Sequence, residues 1–177
     1  MVLEQLARFE VVDSLQAGAF KVIDMPVRLE HVEVTVENSR GDYATGYGSM
    51  PIGNIWAWPS AEVSPEAAEG AMAEFAERVV ALVESYPEFG HPIDIMFGLA
   101  AEYHHLGRAV AEQQGLDEAI PELAQLVAAS PTDAAVHDAF GRINGINAFN
   151  ALSSEYMTND LAEYPDEQFA GEYLDAY

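Results

Sequence analysis

Five histidines and thirty acidic residues give this 177-residue chain a few spacings with chemical potential. Glu102-Tyr-His-His105 and Glu88-Phe-Gly-His91 both carry the Glu-x-x-His spacing of carboxylate-bridged di-iron bundles, where residues three apart share one helix face. The second lies between Pro87 and Pro92, so a regular helix turn cannot present both ligands. A surface place, or one at a helix N-terminus, is the expectation for His104 and His105, and no metal is assigned. His137 and Asp138 are adjacent, point to different helix faces and make no dyad. The serines read as caps and turn formers, with no Gly-x-Ser-x-Gly among them. There is no glycine-rich phosphate loop, and Lys21 is the only lysine, which excludes a P-loop. The absence of cysteine removes disulfides, thiolate metal sites and cysteine nucleophiles. No catalytic residue is assigned.

The elements that would position any site divide the chain in two. Val32, Val34 and Val36 alternate with Glu33, Thr35 and Glu37, the period of a strand with one buried face. The turn cluster 38–42 leads into a returning strand over 43–48, making an antiparallel hairpin. A further strand within 9–23, which holds the apolar run Phe20-Lys-Val-Ile23, would complete a meander. Residues 49–63 fit neither period and read as a loop carrying both tryptophans. Ser64 as N-cap with Pro65 behind it opens a helix whose stripe is Ala68, Met72, Phe75, Val79 and Val83. Further helices are expected over 93–114, stopped by Gly115, over 116–128, and over 130–144, opened by a capping-box-like Ser130…Asp133 and ended by Asn144-Gly145. A small antiparallel meander followed by a helix bundle is an α+β domain.

Charge is the extreme feature of the composition. Thirty Asp and Glu face seven Lys and Arg, a net charge of −23. Such a surface repels nucleic acid and anionic membranes, so neither is expected as a partner. Screening relieves self-repulsion, which fits a halophilic source, and an acidic protein without special adaptation fits equally. The first residues lack a basic segment and an apolar core of the signal-peptide kind, and no run approaches a membrane span. A cytoplasmic location is the default expectation.

Two stretches carry a family resemblance. Met25 to Gly48 looks like the hairpin of the N-terminal capping domain in the enolase superfamily, of the mandelate racemase and muconate-lactonizing type, including its return into a Gly-x-Gly at Gly46 and Gly48. Ser130 to Leu152 is similar to the last large helix of that domain, with Asp138, Gly141, Arg142, Gly145 and Leu152 in matching places. Asn147 stands where many members have Pro, and Ser-Ser-Glu where a Leu-Leu-Gly turn would finish. The resemblance implies a capping domain over 1–155, with its meander at 9–48, loop at 49–63 and helices at 64–152, and an acidic tail over 156–177 leading toward a barrel absent from this chain. It implies a lid and specificity element rather than a catalyst. Substrate-covering loops would include Asp24, Met25, Ile52, Asn54, Trp56 and Trp58, with Ile52, Trp56 and Trp58 forming an exposed apolar surface. The partner would be a barrel domain or subunit, or a second copy in a homodimer. Mg²⁺, an acid–base pair and a carboxylate substrate would belong to that barrel, with no cofactor in this chain.

A rival reading is a tetratricopeptide-like helical adaptor for a peptide. Gly107 and Gly141 stand one 34-residue repeat period apart, and Tyr103, Leu106, Ala119, Leu123 and Pro131 fall on consensus places. The following copy fails, because Gly145 breaks its first helix and Asp160 falls at an inner position.

Overall fold

The alternation at Val32, Val34 and Val36 builds the centre of a three-stranded antiparallel sheet. The computed structural model describes residues 4–12 and Val27 as backbone and residues 28–177 in full. Strands β1 (Glu4–Val12), β2 (Val27–Glu37) and β3 (Tyr43–Pro51) lie in the order β1-β2-β3, with Val32 opposite Gly48 and Val34 opposite Gly46. β1 begins ahead of the expected segment, and Phe20–Ile23 lies outside the described residues. The β2–β3 turn is tied by Asn38, whose Oδ1 accepts from the amides of Arg40 and Asp42, while Gly41 takes φ +81°. That left-handed backbone is why glycine stands there.

A short helix α1 (Asn54–Ala57) and four longer ones follow: α2 (Pro65–Glu84), α3 (Pro92–Ala100), α4 (Tyr103–Gln114) and α5 (Glu122–Asn144). The architecture is α+β, as the hydrophobic periods require. Two buried clusters hold it. One joins the three β2 valines to Val80, Val83, Met96, Ala135, Val136 and Ala139. The other gathers Ile52, Trp58, Phe75, Tyr103, Val110, Ile120 and Val127 around α2.

Helix ends follow local chemistry. Ser64 Oγ accepts from the Ala67 amide (3.2 Å), and Pro65 occupies the first turn. Gly115 and Gly145 adopt φ +67° and +68°. At Gly145 the amides of residues 145 and 146 return to the carbonyls of Arg142 and Gly141, a Schellman closure.

Three helix expectations are corrected. The helix expected over 93–114 is two, because the chain turns at Ala101–Glu102 and swings Tyr103 inward, edge-on to Phe75 at 5.7 Å. Residues 116–121 are not helical; Pro121 stands as N-cap of α5. The expected third and fourth helices are continuous through Pro131. Ser130 therefore caps nothing. Its hydroxyl donates to the Val127 carbonyl (2.8 Å), the acceptor that Pro131, lacking an N–H, leaves unserved. Uninterrupted, α5 also lacks the boundary near Ser130 that a second tetratricopeptide copy would need.

The centre of α5 rests directly on the β3 backbone. A Cβ on Gly48 would come within 1.8 Å of the Pro131 carbonyl oxygen, and one on Gly46 within 2.1 Å of the Ala139 nitrogen. The acidic stretch 156–177 packs back on α3: Met157 and Leu161 are buried, and Asp94 accepts from Asn159 Nδ2 (2.9 Å) and the Tyr164 hydroxyl. Among the described residues no helix is long and apolar enough to cross a membrane.

Candidate functional site

Strand β3 ends at Pro51 and delivers the chain to the tryptophan segment, which is less open than its composition implies. Gly53 allows the indole of Trp56 to fold over the backbone; a Cβ there would lie 2.1 Å from Trp56 Nε1. Asn54 is buried and donates through Nδ2 to the Pro65 carbonyl (2.6 Å), tying α1 to the start of α2. Ser60 Oγ accepts from the amides of Glu62 and Val63.

The two tryptophans part company. Trp58 is 3% exposed, inside the helical core, and its Nε1 donates to Glu118 Oε1 at 2.6 Å. Bonds from Ser60 and Trp58 hold the Glu118 carboxyl below the usual carboxylate range. Trp56 is 56% exposed beside Ile55, which is exposed as well. The expected surface of Ile52, Trp56 and Trp58 is thus corrected: Ile52 and Trp58 are core residues, and the exposed pair is Ile55 and Trp56. A single side chain can leave water here because Glu118 supplies the acceptor that a buried indole needs. A hollow of about 360 Å³ adjoins Trp56, lined by Arg28, Ile52, Asn54, Ile55, Glu66 and Glu69 among others. Asp24 and Met25 lie outside the described residues.

The two motif stretches of the resemblance, some ninety positions apart, meet on β3. Asp138 Oδ2 accepts from the Tyr47 amide (3.0 Å) between Gly46 and Gly48, and from Arg142 Nε (2.7 Å). The Arg142 guanidinium lies 5.4 Å from the Tyr47 ring centroid. Asp138 and Arg142 thereby join α5 to β3, while Gly141 lets residues 146–148 close over the helix end and Gly145 is its C-cap.

The histidine spacings do not assemble a metal centre. His91 is buried, accepts from the Ile93 amide through Nδ1 (3.2 Å) as N-cap of α3, and packs edge-on to Phe140 at 4.9 Å. Burial, assisted by His137, pushes its pKa down. His104 and His105 are exposed on α4, and His105 meets Arg108 at 2.9 Å. Among the described residues, no group of three His, Asp or Glu side chains stands together to hold a metal ion.

Sequence reasoning missed two features. One is Glu30, on the inward face of β2 and 1% exposed, with neither carboxylate oxygen hydrogen-bonded among the described residues. The period-2 pattern marks it, since positions 30, 32, 34 and 36 share a face. Burial raises its carboxyl to about 8, Arg28 pulls the other way and Glu77 adds to the rise. The other is a hollow of about 680 Å³ between α5, the start of α3, residues 146–149 and Leu174. It draws on four separate segments, so no sequence spacing announces it. No protein-family model matches the chain, and no curated protein or solved structure does either.

Proposed function

We propose that the chain is the capping domain of an enzyme resembling the enolase superfamily, a lid that covers the mouth of a barrel domain or subunit acting on a carboxylate substrate. The observation that carries the reading is the joint of Gly46-Tyr47-Gly48 with Asp138 and Arg142. Gly46, Gly48, Asp138 and Arg142, four of the residues that suggested the family from sequence, lock α5 onto β3, and β3 then leads directly into the Ile55–Trp56 projection. Exposed apolar side chains beside a hollow are the features a lid needs to exclude water from a partner's active site. In this reading the acid–base residues and Mg²⁺ belong to the barrel. The described residues here offer no cluster that fits the metal.

The test is a mixing experiment with a barrel of the mandelate racemase type from which its own cap has been removed. A complex that shifts Trp56 emission to the blue, and that Trp56→Ser abolishes while leaving circular dichroism unchanged, is the expected result. An unchanged sedimentation profile and emission spectrum at micromolar concentrations of both would overturn the proposal.

A further inference from the structure

We infer that the hollow along the C-terminal half of α5 binds an amine, a cationic nitrogen carried on an aliphatic or aromatic body. Its volume, about 680 Å³, falls in the range of ligand pockets. Ile93, Ala134, Ile146, Leu152 and Leu174 give it apolar walls, and Phe149 stands 83% exposed at its rim. Polar groups of α5 line it at Asp133, His137, Asp138 and Arg142.

The sign of the ligand's charge follows from how those groups are already engaged. Arg142 Nε is bound to Asp138 at 2.7 Å, so these two charges offset one another. Asp133 remains, half-exposed, with only a 3.5 Å approach to His137 Nδ1 and acceptor capacity to spare. His137 Nδ1 lies 3.0 Å from the Asp133 carbonyl oxygen. A carbonyl only accepts, so Nδ1 carries the hydrogen. A half-exposed carboxylate with acceptor capacity to spare favours a donor, and an ammonium supplies several.

Three further terms favour the cation. The last turn of α5 carries the negative end of the helix dipole, and an exposed phenyl ring attracts cations over its face. The net charge of −23 concentrates cations around the whole molecule. An anionic ligand of the same shape would meet Asp133 in place of its missing partner. The hollow shares no lining residue with the one beside Trp56, while Asp138 and Arg142 of the β3 joint stand in its wall, so a change at Trp56 separates the two readings.

The probe is 2-phenylethylamine, with 3-phenylpropanoate as the anion of similar shape, titrated at low salt and followed through backbone amide shifts. Saturable shifts confined to the lining segments, residues 133–152 with Ile93 and Leu174, are expected for the amine, with binding of the anion about tenfold weaker because attraction becomes repulsion. Asp133→Asn should weaken the amine about threefold to fivefold, the size of a half-exposed ion pair. Ala134→Trp, placed at an exposed position, should block the hollow, and Trp56→Ser should change nothing. Circular dichroism checks each variant. Equal binding of both probes, no saturation with the amine, indifference to Asp133→Asn, or loss of binding in Trp56→Ser would each overturn the inference.

Discussion

Glu30 holds a proton in the fold that the unfolded chain gives up near pH 4.5, because burial without a partner disfavours its charged form. Between pH 4.5 and about 8 the native state binds more protons than the unfolded state, so this residue's contribution to stability is intact below 4.5 and is lost as pH rises to 8. Glu30→Gln is neutral throughout. The stability of the wild type relative to Glu30→Gln should fall by about 1 kcal/mol per pH unit across this window, on the order of 4 kcal/mol in all. Urea denaturation of both proteins at pH 5 and pH 8 measures it, and a pH-independent difference refutes it. Two glycines test packing at the same scale. Gly48→Ala drives a methyl into the Pro131 carbonyl, a backbone atom that cannot rotate away, and should cost about 3 kcal/mol or prevent folding. Gly70→Ala, on α2 with nothing within 4 Å, should stabilise by roughly 0.5–1 kcal/mol through helix propensity. Thermal melts of the pair read the contrast.

At the scale of elements, α5 shows how a helix passes a proline. Ser130→Ala should cost about 1 kcal/mol by orphaning the Val127 carbonyl. In a Pro131→Ala background the restored amide serves that carbonyl, so the same change should cost markedly less; a double-mutant cycle by chemical denaturation gives the coupling. The tryptophan segment divides likewise. Trp58→Ala should lose about 3–5 kcal/mol, whereas Trp56→Ser should stay within about 0.5 kcal/mol, again by denaturant melts. These elements also mark how far sequence alone reaches. Strand alternation at 32–36, the Ser64-Pro65 start and the glycine stops at 115 and 145 were legible because each depends on a few neighbouring residues. The passage through Pro131 was not, because a Ser-Pro pair reads locally as the start of a new helix, whereas here the serine hydroxyl serves the carbonyl that the proline leaves. The candidate site was legible only in part. Trp56 is exposed as expected, but the acceptor that draws Trp58 inward, Glu118, lies sixty positions away.

For the molecule as a whole, the excess of acid sets how stability responds to salt. Raising NaCl from about 0.01 M to about 1 M shortens the Debye length from roughly 30 Å to 3 Å, so the melting temperature should climb over that range. A melting temperature flat in salt would show that the carboxylates are already too far apart to repel. Charge also acts locally, at the sheet's rim. β3 is the last strand, and outward-facing amides of such a strand are where a foreign chain would add itself. At Tyr47 that amide is already taken by Asp138, so an incoming strand would have to displace a carboxylate that Arg142 holds in place. The joint that seats α5 thus also occupies that edge amide, and Asp138→Ala should leave a folded protein whose Tyr47 amide exchanges with solvent faster than in the wild type, read by hydrogen exchange.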